Sequence, residues 1–298
     1  MINSPQDERD ILTAPEVLKS QFSTDKNLTI RLEIHDRYSV PRVDFPHWVL
    51  ERLPWRGGET VLDVGTGSGK YYDAVMSLAP DTHYMAMDAF IGMMAKHPAR
   101  TRLLAGDAMR LPFPDASVDV VMANHMLYLL TDIDGGISEI CRVLKPGGVL
   151  VTATNSGQSM PEFSALFRRA VTLLTTPGNA YAPAPDLNFQ TYSLENGPLI
   201  LRRHFFAVVR HDLPQALVFD RAEPALAYLE SMRSMREPLL PEYVRWEDVM
   251  MIMHEQIDRV IGHFGELVVN KISGVLMASD SGGFIRGFVE RKTAKKAK

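Results

Sequence analysis

The sequence predicts an α/β fold built on a parallel sheet, and three observations carry that expectation. Between residues 60 and 154 short apolar runs recur, TVLDV, HYMAMD, RLLAGD, VDVVMAN and VLVTAT, without the polar alternation of a half-exposed sheet. Strands of this kind bury both faces, as they do in parallel sheets covered by crossover helices. Segments of helical period separate several of the runs. The first run also leads directly into a cluster of glycines, in VLDVGTGSGK at positions 61–70, where Gly65, Gly67 and Gly69 take every second place. Glycine reaches backbone angles closed to other residues and lets a ligand approach the main chain, so the cluster reads as a binding loop.

Taken along the chain, the first element is the segment NLTIRLEIHDRY from Asn27 to Tyr38, whose Ile30, Ile34 and Tyr38 share one helical stripe. It is expected to end before Pro41, because a residue preceding proline disfavours helix. After the glycine loop, Tyr71, Ala74, Val75 and Leu78 repeat with helical spacing. Between RLLAGD and VDVVMAN the link LPFPDAS carries two prolines and leaves little room for a regular crossover helix. A further helix with Ile133, Ile137, Ile140 and Val143 on one face begins among Asp132 and Asp134, where carboxylates suit a helix N-terminus. Lys145-Pro146-Gly147-Gly148 is expected to stop that helix and turn the chain into the next strand. Downstream, residues 157–262 mix helical patterns with the proline-rich PGNAYAPAPD and the large side chains Phe163, Phe167, Tyr181, Phe189 and Tyr192. This stretch is too long for a simple connection and reads as a lid or insert over the ligand face. The expected organisation is an N-terminal helical cap over residues 1–54 and an α/β domain over 55–298, with the insert at about 157–262.

Composition narrows the function. The 298 residues carry a net charge of −4 and a pI near 6.1, so no global field attracts nucleic acid, and none is expected as a partner. Lys292, Lys295, Lys296 and Lys298 form a basic tail that reads as a solvated terminus. A single cysteine, Cys141, excludes an internal disulfide and a thiolate metal cluster, and its apolar helical setting marks a buried structural thiol. His83, His97, His204, His211, His254 and His263 are scattered without ligand spacing, so no metal is expected and their default role is structural. The N-terminus MINSPQDERD is polar, and no apolar stretch approaches the roughly 18 residues that span a bilayer, which points to a cytoplasmic protein without a membrane partner.

The glycine loop itself fits a nicotinamide fingerprint poorly, because G-x-G-x-x-G/A requires a small residue where Lys70 stands. Polar residues at the ends of successive strands suggest another ligand. In an open parallel sheet, ligands bind beyond the carboxyl ends of the strands. Asp88, ending the second strand, can accept hydrogen bonds from both ribose hydroxyls. Asp107, ending the third, can accept an adenine amino group, with the Ala108 backbone and the Met109 side chain beside the ring. Carbonyls of Gly65 and of Asn124, which ends the fourth strand, can receive an amino-acid ammonium. Asp63, inside the first strand, must find donors there, either in the glycine loop or through water to that ammonium. Ribose, adenine and amino acid together describe S-adenosylmethionine.

From Val61 to Thr154 the chain resembles the class I S-adenosylmethionine-dependent methyltransferases. VLDVGTGSGK resembles their glycine-rich first motif, MDAF the acidic second, and GDAMRLPFPD the adenine-side third. VDVVMANHMLYLL and EICRVLKPGGVLVTAT resemble the fourth strand and the helix–strand unit after it. The flanks NLTIRLEIHDRYS, SLENGPLILRRHF and EPALAYLESM look like a bacterial small-molecule-type subgroup. The resemblance implies a Rossmann-like sheet of order 3-2-1-4-5-7-6 with an antiparallel last strand. It implies methyl transfer to a small-molecule acceptor on oxygen, nitrogen or carbon, by in-line displacement assisted by proximity. His125 is the candidate base, with a packing role for the loop as its alternative. Tyr38 is placed beside the methionine carboxylate or the acceptor, Tyr128 in the pocket wall, and His35 and Arg31 on the helix surface. The alternative function is a non-catalytic S-adenosylmethionine sensor or scaffold. Oligomeric state is open between monomer and homodimer, with Met250, Met251 and Met253 as core or interface.

Calorimetric titration is expected to show binding of S-adenosylhomocysteine and not of NAD, because Lys70 stands where the dinucleotide fingerprint needs a small residue. Tight NAD binding without a response to S-adenosylhomocysteine would reverse the assignment.

Overall fold

The apolar runs become strands close to the boundaries that their sequences suggest. A computed structural model describes residues 10–175 and 191–281. The chain begins with helices α1 (Pro15–Phe22) and α2 (Lys26–Tyr38), the two-residue strand β1 (Ser39–Val40) and helix α3 (Phe45–Leu50). There follow β2 (Thr60–Val64), α4 (Tyr72–Leu78), β3 (His83–Asp88), β4 (Leu103–Ala105), β5 (Val118–Met122), α5 (Ile133–Val143) and β6 (Leu144–Asn155). The remainder holds α6 (Pro161–Leu174), α7 (Gly197–Leu201), β7 (Ala207–Phe219), α8 (Ala222–Glu230), α9 (Arg233–Arg236), α10 (Trp246–Phe264) and β8 (Leu267–Ser279). Tyr181, Phe189, the proline-rich stretch around them and the basic tail lie outside the described residues.

Among the described residues the chain forms two units. A sheet unit takes Val43–Ser156, Tyr192–Leu213 and the chain from Ser273 on. A helical unit takes the chain up to Arg42, the residues between Gly157 and Thr191, and Pro214–Ile272.

In the sheet unit the strands follow the order β4-β3-β2-β5-β6-β8-β7. Counted from β2 as the first, this is the 3-2-1-4-5-7-6 order implied by the resemblance. β2 pairs in parallel with β3 and β5, and β8 runs antiparallel to β6 from Leu150↔Ala278 to Asn155↔Ser273. Val61, Leu62 and Val64 are buried together, which is why TVLDV shows no polar alternation. Helix α5 starts where Asp132 Oδ1 accepts the Gly135 N–H at 2.9 Å, and Ile137, Ile140 and Val143 are fully buried on its inner face. No helix links β4 to β5, as the two prolines of LPFPDAS require.

Two local expectations are corrected. Lys145–Gly148 does not form a separate turn: β6 starts at Leu144, directly after α5, and the four residues lie within it where the register against β5 shifts between Val118 and Val120. Gly147, at φ 79°, permits this irregularity, and a Cβ on Gly148 would stand 2.9 Å from the Lys145 carbonyl. Strands β4 and β5 also stop short, so that Asp107 and Asn124 stand two residues beyond their ends.

The helical unit has its own core. Ile34 of α2, Phe163, Phe167 and Val171 of α6, Ala225 and Leu229 of α8, and Trp246, Val249, Met253 and Ile257 of α10 form one buried cluster. The Phe163 ring lies 5.8 Å from Tyr228 and 6.1 Å from Phe219, and Phe167 lies 6.1 Å from Trp246. Trp246 Nε1 donates to Glu230 Oε2 at 2.7 Å, which satisfies the buried indole. Phe163 and Phe167, which the sequence places in the lid or insert, are each only 1% exposed and are core residues of this unit. On α10 Met253 is buried, Met250 packs against the cluster and Met251 points to solvent. β1 pairs antiparallel with the second half of β7, Ser39 opposite Leu217. Among the described residues no helix is long and apolar enough to cross a membrane.

Phe167→Ala is expected to lower stability by about 3–5 kcal/mol, the range for deleting a buried aromatic ring. Urea unfolding followed by far-UV circular dichroism checks it, and a loss under about 1 kcal/mol would mean that the ring lies open to solvent.

Candidate functional site

The loop after β2 is shaped by its glycines. Gly65, Gly67 and Gly69 have φ of 68°, 56° and 82°, in the left-handed region that glycine enters without penalty. There is also no space for side chains: a Cβ on Gly65 would stand 2.9 Å from Met126 Cβ, and one on Gly69 2.6 Å from the His97 ring. The Gly65 and Thr66 N–H groups both donate to the Met87 carbonyl, at 2.8 and 3.1 Å.

Asp88 ties the loop to the end of β3. Its Oδ2 accepts the Gly67 N–H and its Oδ1 the Phe90 N–H, each at 2.9 Å. Burial pushes its pKa up, against the pull of these two donors. Each carboxylate oxygen retains a second lone pair, so the group can still accept two hydroxyls.

Asp63 is buried at the end of β2 and finds its donors in the loop and on β3, the first of the two alternatives that the sequence offered. Its Oδ2 accepts Thr66 Oγ1–H and Tyr84 O–H, both at 2.8 Å, while Oδ1 takes no protein donor among the described residues. Burial pushes the Asp63 carboxyl up to about 6, with both hydroxyls acting against it and nearby Asp88 adding to it. Beyond the strand ends, Asp107 is exposed and its Oδ1 accepts the Met109 N–H at 2.9 Å, beside buried Ala108. Asn124 is buried, and its Oδ1 accepts the Ala153 N–H at 2.8 Å. Its Nδ2, also buried, has no partner.

His125 follows with φ 56°, a left-handed conformation uncommon for a residue with a side chain. Its N–H donates to the Ala153 carbonyl at 2.8 Å, and its half-buried ring lies 5.8 Å from Phe45, which stacks on Trp48. Tyr71, placed by its period on a core face, also carries a buried hydroxyl without a partner, whose pKa rises through burial and the neighbouring Asp63 and Tyr128.

The sheet unit thus brings together Asp63, Gly65, Gly67, Asp88, Asp107, Ala108, Asn124 and His125 at the carboxyl ends of its strands. Tyr38 belongs to the helical unit, where its ring lies 5.1 Å from Phe219 and its hydroxyl accepts Arg221 Nη2–H at 3.4 Å. Sequence reasoning gave no role to Phe45, Trp48 and Tyr84, and only structural ones to Tyr71 and His97. Only Tyr71 gave a signal, its place next to the glycine loop; the others depend on tertiary contacts.

The residues fit an S-adenosyl amino acid. The orphaned Asn124 Nδ2 and Tyr71 hydroxyl are buried donors that lack an acceptor, and Asp63 Oδ1 is an acceptor that lacks a donor. An ammonium and a carboxylate together answer both needs, and the glycines of the loop let a ligand approach the main chain.

Comparisons with known proteins find methyltransferases. A family model described as a methyltransferase domain matches residues 62–152. The chain is 32% identical over 165 residues to a malonyl-[acyl-carrier protein] O-methyltransferase of Marinomonas sp. (strain MWYL1), covering 52% of this chain and 60% of that protein. It is 36% identical over 132 residues to a demethylmenaquinone methyltransferase of Beutenbergia cavernae, covering 43% of this chain and 54% of that one. The chain therefore spans little more than half the length of these relatives. Among solved structures, the YcgJ protein of Bacillus subtilis shares the fold with a TM-score of 0.53 at 16% identity, over 80% of this chain and all of that one. Residues 62–152 thus carry a methyltransferase domain, set in a glycine-loop sheet of order 3-2-1-4-5-7-6, the Rossmann-like fold of the class I S-adenosylmethionine-dependent methyltransferases.

Proposed function

We propose that the protein transfers a methyl group from S-adenosylmethionine to a small-molecule acceptor, at oxygen, nitrogen or carbon. The observation that carries this reading is the pair of buried groups without a partner beside the glycine loop, Asn124 Nδ2 and Tyr71 O–H, together with Asp63 Oδ1, which takes no protein donor among the described residues. Relatives named as a malonyl-[acyl-carrier protein] O-methyltransferase and a demethylmenaquinone methyltransferase support an acceptor other than nucleic acid.

In this reading Asp88 accepts the ribose hydroxyls with the lone pairs left free by Gly67 and Phe90. Asp107 Oδ2 accepts the adenine amino group, next to the Ala108 backbone. Asp63 Oδ1 receives the ammonium, while Asn124 Nδ2 and the Tyr71 hydroxyl donate to the carboxylate. When bound, S-adenosylmethionine supplies a methyl group already activated by its sulfonium. The remaining demands on the chain are to hold an acceptor in line and to keep water out. Phe45 and Trp48 beside His125 provide apolar surface for the second demand. His125 takes the proton of an acceptor that is protonated at neutral pH.

Transfer of a labelled methyl group to a panel of small acceptors tests the whole reading, since a sensor or scaffold binds S-adenosylmethionine without turnover. Asp88→Ala is expected to weaken S-adenosylhomocysteine by about 10-fold or more, one charged-acceptor bond contributing roughly 1.5–3 kcal/mol. Asp107→Ala should weaken it less, because the backbone contacts to adenine remain. Wild-type affinity in a folded Asp88→Ala protein would displace the ribose from this carboxylate. For an acceptor protonated at neutral pH, His125→Ala is expected to lower kcat about 100-fold or more, with cofactor affinity unchanged. An unchanged kcat would leave His125 with the packing role alone.

A further inference from the structure

We infer that His97 is a positioning residue that holds Asp63 as a carboxylate through a buried relay, and so controls uptake of the ammonium end of the cofactor. The inference rests on the reading of the site as one for S-adenosylmethionine.

His97 follows the short 3-10 turn Ile91–Met94 and is fully buried. The Ala99 N–H donates to its Nδ1 at 3.0 Å, so that nitrogen carries a lone pair. In the neutral ring the proton therefore sits on Nε2, which lies 2.9 Å from Thr66 Oγ1. Thr66 accepts this proton and turns its own hydroxyl to Asp63 Oδ2 at 2.8 Å. Each link fixes the direction of the next: Ala99 sets the ring, the ring sets the Thr66 hydroxyl, and the hydroxyl is committed to Asp63. Burial lowers the His97 pKa, and a second proton on the ring would set two donors against each other at Nδ1. His97 thus remains a neutral donor.

The ring also fills the space beneath the loop, because a Cβ on Gly69 would meet its Cδ2 and Nε2 at 2.6 Å. Relay and loop shape therefore share one side chain. Asp63 is faced by Thr66 from the loop, Tyr84 from β3, and Asp88 at the end of that strand; Tyr71 lies near it, with Tyr128 beyond. The two hydroxyls favour the ionised form, whereas burial and Asp88 oppose it. The balance stands at about 6, so a small change in donation moves it across the working range. Asp63 becomes neutral as pH falls through that value and loses its attraction for an ammonium.

The test is calorimetric titration of the full chain between pH 5 and 8 with two ligands, S-adenosylhomocysteine and methylthioadenosine. The second shares the nucleoside but lacks the amino acid. Wild-type affinity for S-adenosylhomocysteine is expected to fall about 10-fold from pH 7 to pH 5, the change in ionised fraction of a group titrating midway, while methylthioadenosine stays level. His97→Leu and Thr66→Val should each move the midpoint to higher pH for S-adenosylhomocysteine only. His97→Gln, whose Nε2 can still donate to Thr66, should return the midpoint towards wild type. Thr66→Val leaves the His97 ring in place, so it decides the matter even if His97→Leu does not fold. A pH-independent wild-type affinity, or variants that weaken both ligands equally without moving the midpoint, would overturn the relay. Failure of the wild-type protein to bind either ligand would instead overturn the methyltransferase reading.

Discussion

The buried carboxylate of Asp63 is the constraint around which the sheet unit is arranged. A carboxylate at the end of a central strand is stable only when donors surround it, and an ionised group left without them is strongly unfavourable. Thr66 and Tyr84 meet that need, and each draws another element into place. Thr66 brings the loop down over the strand end, which is possible because the glycines on either side of it adopt positive φ. Tyr84 belongs to β3, whose last residue, Asp88, then holds the far side of the same loop through the Gly67 N–H. Two carboxylates thus grip one loop from adjacent strands, and the loop has one favourable shape. The ligand meets a surface formed in advance, with little ordering left to be done on binding.

Legibility in the sequence followed the range of the forces involved. TVLDV and HYMAMD correspond residue for residue to β2 and β3, because an uninterrupted apolar run between turn residues leaves a buried strand little freedom. The place of Asp88 was readable for the same reason, since it closes the run that forms β3, whereas its backbone donors, the Gly67 and Phe90 N–H groups, appear only in the fold. The Lys145–Gly148 stretch was misread because a Pro-Gly-Gly sequence signals a turn locally, while pairing with β5 turned it into an irregular strand. Phe163 and Phe167 show the same limit: a helical stripe of aromatics states that one face is apolar but not what covers it. Here the cover is Phe219, Tyr228 and Trp246, more than 50 residues away in the chain. His97 was the hardest to see, as a lone histidine in a loop carries no pattern. Its role arises only from the atoms that fold around it.

The helical unit is assembled from segments far apart in sequence, yet its packing is conventional. Ile34, Phe163, Trp246 and Met253 contribute to one apolar cluster, and Glu230 accepts the proton of its buried indole. A core built from such separated pieces depends on long-range closure, which slows folding more than it limits final stability.

His125 carries a consequence of another kind. Its left-handed backbone, with φ 56°, is disfavoured for a residue bearing a Cβ by about 1–2 kcal/mol relative to glycine. Selection for thermal tolerance alone would therefore favour glycine or asparagine at this position, since both enter that region readily. A histidine there runs against the local preference of the chain, and with His125 read as the proposed base the position is one where activity and robustness pull in opposite directions.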